Sequence, residues 1–218
     1  MEKYYENSRF FQIVEEVDFF MIIEEILCSW KKNILIDDDA YFWDILFKMY
    51  PQNCYVIDQY PMVVEDNEKY KQLEIFHAAV LNGEISVDIY KKEEDKLKNV
   101  MRKLWAYNLL KVETNIIEKS NSSVVQAINP QKLYLIDELK NRITNNDLTI
   151  DNVEYLDLLV ELGARERVYS CFVFHDFKVI AVTNALDMPI FIADLNMKAL
   201  IEKIVTTEGL YLRPYIEK

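Results

Sequence analysis

Apolar residues recur at helical spacing from the start of the chain. Phe10, Ile13, Val14, Val17, Phe20, Met21, Ile23, Ile26, Leu27 and Trp30 leave only a narrow polar strip through Gln12, Glu15, Glu16 and Glu25. The spacing predicts a long, mostly buried helix over residues 8–32, packed against its own domain or a partner. A short strand at 34–36 comes next. Asp37-Asp38-Asp39 then precedes an apolar run at 40–47, where an aspartate would cap a helix and complement its positive end. After Pro51, residues 54–58 read as a strand. Residues 65–81 read as a helix with Tyr70, Leu73, Phe76, His77 and Val80 on one side, stopped by Asn82-Gly83. Residues 85–90 fit either a strand or a helix start. A charged helix over 91–110 buries Leu97, Val100, Met101, Leu104 and Leu110.

Two strands, 112–117 and 124–128, flank a turn at 119–122, and Asn129-Pro130 opens a helix to 143 with proline in its favourable first turn. Asn145-Asn146-Asp147 reads as a linker. Asp151 would cap a helix over 153–162, ended by Gly163. Runs at 168–174, 178–183 and 189–193 read as a three-stranded meander, with His175-Asp176-Phe177 as its first turn. A helix at 196–206, stopped by Gly209, and a strand at 210–214 complete the chain. The expected fold class is α+β: a helix-rich N-terminal two-thirds followed by a small antiparallel sheet with a packed C-terminal helix. The expected division is 1–145, with a central strand hairpin, and 146–218, or one continuous domain.

Composition removes several function classes. Only three glycines, Gly83, Gly163 and Gly209, occur in 218 residues. Backbone loops that wrap phosphate need glycines together, and neither the dinucleotide-binding nor the P-loop pattern is present. Nor is there a nucleophile elbow. Cys28, Cys54 and Cys171 are odd in number and widely spaced, which fits a reducing compartment. The N-terminus shows no secretory pattern. Carboxylates at Glu15, Glu16, Asp18, Glu24 and Glu25 interrupt the most apolar stretch, so no membrane span is expected. The expectation is a cytoplasmic protein without cofactor or metal.

Charge then divides the chain. The net charge is -12, and residues 1–90 carry 7 basic against 18 acidic groups, whereas residues 91–145 carry 11 against 7. Asp37, Asp38, Asp39 and Asp44 lie among Tyr41, Trp43 and Tyr60, and this mixture of carboxylates and aromatics suits an interface for a basic partner protein. In profile the chain resembles toxin-neutralising immunity proteins and phage-encoded inhibitors of host defence, and no motif carries that likeness. It implies a non-enzymatic binding protein, and low glycine with abundant Ile, Asn and Lys suggests an AT-rich bacterial or phage genome. The alternative is a DNA-associated regulator whose 91–143 segment has the element order of a winged helix, with Lys96, Lys98, Arg102 and Lys103 meeting phosphates.

Two catalytic patterns read better as structure. Asp176-Phe177-Lys178 resembles the acidic-x-Lys element of the PD-(D/E)xK nucleases over three residues only, and an aspartate suits the turn there. His175 and Cys171 share a strand face but lie too far apart for a hydrogen bond. His77 reads as a core or boundary histidine.

Overall fold

The computed structural model describes residues 47, 50–73, 75–119, 128–143 and 147–216. The chain divides after Pro51, and the fold below is that of the unit Gln52–Lys218. Its strands are β1 (Cys54–Asp58), β2 (Leu110–Thr114), β3 (Asp147–Thr149), β4 (Ser170–Phe174), β5 (Val179–Val182), β6 (Met188–Ile192) and β7 (Tyr211–Pro214). Its helices are α1 (Asn67–Leu73), α2 (His77–Leu81), α3 (Val87–Trp105), α4 (Leu133–Arg142), α5 (Val153–Ala164) and α6 (Lys198–Thr207).

The strands form one seven-stranded sheet in the order β3-β2-β4-β5-β6-β1-β7, antiparallel throughout. This corrects the expected fold class. The sheet is not a small C-terminal one behind a helix-rich front, because β1 and β2 bring residues 54–58 and 110–114 into it. The meander β4-β5-β6 is only its middle. A three-stranded meander leaves two rows of backbone N–H and C=O groups open, and both rows are filled, by β2 against β4 and by β1 against β6. Strands from both sides of residue 145 therefore share one sheet. β2 is also bonded on its other side by β3, so it is an interior strand rather than the free arm of a hairpin. The expected partner of that hairpin lies, but for Ile128, outside the described residues. So do the elements expected at 8–32 and 34–36 and, Phe47 apart, at 40–47.

Local signals explain the helix boundaries. The helix expected over 65–81 is two helices, because Phe76 is extended (φ -97, ψ 145) ahead of α2. That break lets Ile75 and Val80 pack against the core. Residues 85–90 resolve as a helix start: the Ser86 hydroxyl accepts from the Asp88 N–H at 3.3 Å and caps α3. Asn152, not Asp151, caps α5, accepting from the Glu154 N–H at 2.9 Å.

One core joins helices to sheet. Leu97, Val100, Met101 and Leu104 of α3 and Leu156 and Leu159 of α5 cluster with Ile57, Leu110, Phe172, Phe174, Ile190 and Leu212. The opposite side chains of the central strands, including Val56, Cys171, Val173, Ile180 and Val182, are buried as well. The sheet is apolar on both faces, which is why β4, β5 and β6 read as continuous hydrophobic runs rather than alternation.

Gly163, near the end of α5, sets how closely that helix approaches β5. A Cβ built there would lie 2.3 Å from Thr183 Cγ2 and 2.4 Å from Thr183 Cβ. Glycine in a helix ordinarily costs stability relative to alanine, but here alanine has no room. Gly163→Ala is expected to destabilise the protein by about 1–3 kcal/mol, the range for overpacking. Urea unfolding of the variant measures this, and a gain in stability would show that α5 does not approach β5 so closely.

Candidate functional site

Of the residues expected to bind a basic partner, Asp37, Asp38, Asp39, Tyr41, Trp43 and Asp44 lie outside the described residues. Tyr60 is half-buried and tied down: its hydroxyl donates to the Leu73 carbonyl at 2.8 Å, and its N–H donates to Asp58 Oδ1 at 3.0 Å. It links the loop after β1 to the end of α1.

The cations of the alternative reading are brought onto one helix, α3, and each is met by a carboxylate of the same molecule. Lys96 pairs with Glu93 at 2.6 Å, and Lys98 pairs with Asp95 at 2.6 Å and Glu94 at 3.3 Å. Arg102 holds Asp157 of α5 with two bonds, at 2.7 and 2.5 Å. Lys103 pairs with Glu208, just beyond α6, and also reaches Thr207 Oγ1 at 2.9 Å. Lys103 and a hydrogen bond from Asn99 hold the Glu208 carboxyl below its ordinary range. Arg102 and Lys103 thus join α3 to α5 and to the end of α6, whereas the pairs of Lys96 and Lys98 lie within α3.

A second, buried charge cluster escaped the sequence reading. Glu94 of α3 is fully buried and accepts from Arg165, at 2.7 Å from Nε and 3.2 Å from Nη2. Arg165 Nη1 also lies 2.8 Å from Glu161 Oε1, and Lys132 reaches Glu161 Oε2 at 2.5 Å. Burial pushes the Glu94 carboxyl above its ordinary range, against the pull of the Arg165 guanidinium. The cluster connects α3, α5 and the turn before α4. Its spacing is visible in retrospect, since Glu94/Lys98 and Glu161/Arg165 are each four residues apart on a helix. Nothing local shows that α3 and α5 face each other there.

The two patterns considered for catalysis take structural roles. Asp176 Oδ2 accepts from the Leu109 N–H at 2.8 Å and so anchors the entry to β2 on the β4–β5 turn. Cys54 of β1 and Cys171 of β4 are both buried, with β5 and β6 between their strands. Burial pushes the Cys54 thiol up to about 12 and raises that of Cys171 too, so both are held protonated. His77 is buried with its ring edge-on to Tyr90, the centroids 5.3 Å apart.

Among the described residues, no group of three or more His, Cys, Asp or Glu is placed to hold a metal ion. None of the described helices is long and apolar enough to cross a membrane. Comparison with protein-family models, with curated proteins and with solved structures finds no match to this chain.

Two measurements probe this arrangement. Arg165→Met leaves Glu94 buried without its main counter-charge, and a loss of about 3–5 kcal/mol is expected in denaturant unfolding. A loss no larger than that of a surface ion pair would mean that Glu94 is reached by water. In a Cys28→Ser variant at mildly alkaline pH, the remaining two thiols are expected to resist a thiol reagent until denaturant is added. Prompt labelling of the folded protein would show that the sheet is open on the side of Cys54 and Cys171.

Proposed function

We propose that the protein is a non-enzymatic acidic binding protein that neutralises a basic partner protein, as a toxin immunity protein or a phage-encoded inhibitor of defence does, and that it acts in the cytoplasm. The observation that carries this reading is the fate of the cations. Lys96, Lys98, Arg102 and Lys103 are turned onto the protein's own carboxylates. The first 90 residues meanwhile hold 18 acidic groups against 7 basic ones. The field offered to an approaching molecule is therefore negative, which speeds encounter with a basic surface and opposes nucleic acid. Asp37, Asp38, Asp39 and Asp44 would meet the partner's Lys and Arg, with Tyr41 and Trp43 as apolar anchors.

A DNA-associated role for the 91–143 segment gains nothing from these contacts. Binding phosphate through Arg102 or Lys103 would require breaking the ion pairs that join α3 to α5 and to the end of α6, and through Lys96 or Lys98 the pairs within α3.

Tagged protein captured from its native host, with the eluate identified by mass and assayed for nucleic acid, tests the reading. One basic protein at stoichiometric level is expected. The triple variant Asp37→Lys, Asp38→Lys, Asp39→Lys should then associate with it at least about tenfold more slowly, with a weaker salt dependence. Nucleic acid recovered without protein would overturn the proposal, and unchanged kinetics would remove the aspartates from the interface.

A further inference from the structure

The short helix α2 is suspended between two breaks. Phe76 is extended on one side, and on the other the turn at Asn82-Gly83 puts Gly83 at φ +76, where glycine is favoured. Only five residues long, α2 is attached inward by His77 on Tyr90 and by the partly buried Ile75 and Val80. Tyr90 in turn donates its hydroxyl to the Ala164 carbonyl at the end of α5, next to Arg165. The outward side of the segment is already apolar: Leu73, Leu81, Val87 and Ile89 are 48, 57, 64 and 53% exposed. A five-residue helix set off by two such breaks is a natural unit of local opening.

The groups that surround His77 are unsuited to a second proton on its ring. Arg165 and Arg167 both oppose it electrostatically. From α3 it faces the Tyr90 ring, and Glu94, one turn further on, is engaged by Arg165 and Lys98. Glu161 is engaged by Arg165 and Lys132, and the remaining carboxylate of the α5 end, Glu166, is exposed. His77 is also the first residue of α2, where the helix end disfavours a cation.

We infer that α2 is an acid-released flap: protonation of His77 undocks residues 75–86 from α3 and α5, and the inner side chains Ile75 and Val80 join the apolar surface already exposed at Leu81, Val87 and Ile89. The inference is independent of the partner proposed above. Its sign follows from linkage. Burial and the two arginines lower the pKa of His77 from its ordinary 6.5. The released form therefore binds the proton more readily. The docked form keeps its full advantage above that value and loses it as pH falls below.

Hydrogen exchange followed by mass spectrometry, corrected for intrinsic rates, tests this at about pH 7.5 and about pH 5. Amides of residues 75–86 are expected to exchange several-fold faster, relative to the sheet, at the lower pH, and binding of an apolar dye is expected to rise with them. His77→Phe should abolish the acid increment. Arg167→Gln should reduce it, because His77 then meets one cation fewer, and this substitution keeps the ring should His77→Phe fail to fold. An increment that survives both substitutions, or acid exchange that rises equally throughout the sheet, would overturn the flap.

Discussion

A strand buried on both faces has no polar side to penalise a slip by one residue, because either register buries apolar groups. The central strands of this protein are in that position, and the rest of the fold depends on their register being held by other means. Polar side chains at the strand ends supply it. Asn53 donates to the carbonyls of Ile192 and Ala193, at 2.7 and 3.2 Å, and so aligns β1 on β6. Asp176 and Asn108 join β2 to the β4–β5 turn through the N–H groups of Leu109 and Phe177. At the other end of the same strands Asn115 accepts from the Tyr169 N–H, and the Ser170 hydroxyl bonds Thr114 while the Ser170 N–H bonds Thr183. Arg213 of β7 holds Asp58 of β1 at 2.7 Å. A slip would break these bonds at both ends and leave buried groups unpaired, a cost of about 1–3 kcal/mol for each.

The helices follow from that sheet. Thr183, one of the register residues, is also the side chain against which Gly163 brings α5. With α5 placed there, Arg165 falls beside Glu94 of α3, and Asp157 falls beside Arg102. Glu94, Arg102 and Lys103 of α3 are thus used to dock helices. In the basic middle of the chain, Lys96, Lys98, Arg102 and Lys103 are each paired within the fold.

Much of the secondary structure was legible in the chain because its signals are local. The strand at Cys54–Asp58 and the apolar runs of β4, β5 and β6 stood out by composition, and Asn129 and Gly209 marked helix boundaries by their chemistry. Errors arose where local signals compete with packing. Residues 65–81 carry one continuous helical pattern, yet Ile75 and Val80 reach the core only if the helix breaks at Phe76. Asp147 reads as part of a linker by its neighbours, but the open edge of β2 recruits Asp147–Thr149 as a strand. Glu94 and Lys98 show in the sequence only the four-residue spacing of a helix pair, and the burial of both depends on α5 lying alongside.

By itself the sequence determined many of the segments that extend or coil, a scarcity of glycine without phosphate-loop patterns, and an acidic balance. Those properties belong to single residues and their near neighbours, so they survive without knowledge of the fold. The tertiary structure alone decided that the meander is the centre of a seven-stranded sheet, and which charges are spent internally. Both depend on contacts between distant residues, such as Arg102 with Asp157, 55 positions apart, and Arg165 with Glu94, 71 apart. A carboxylate carries no local mark of which cation will face it, because that is set by how helices pack on a sheet.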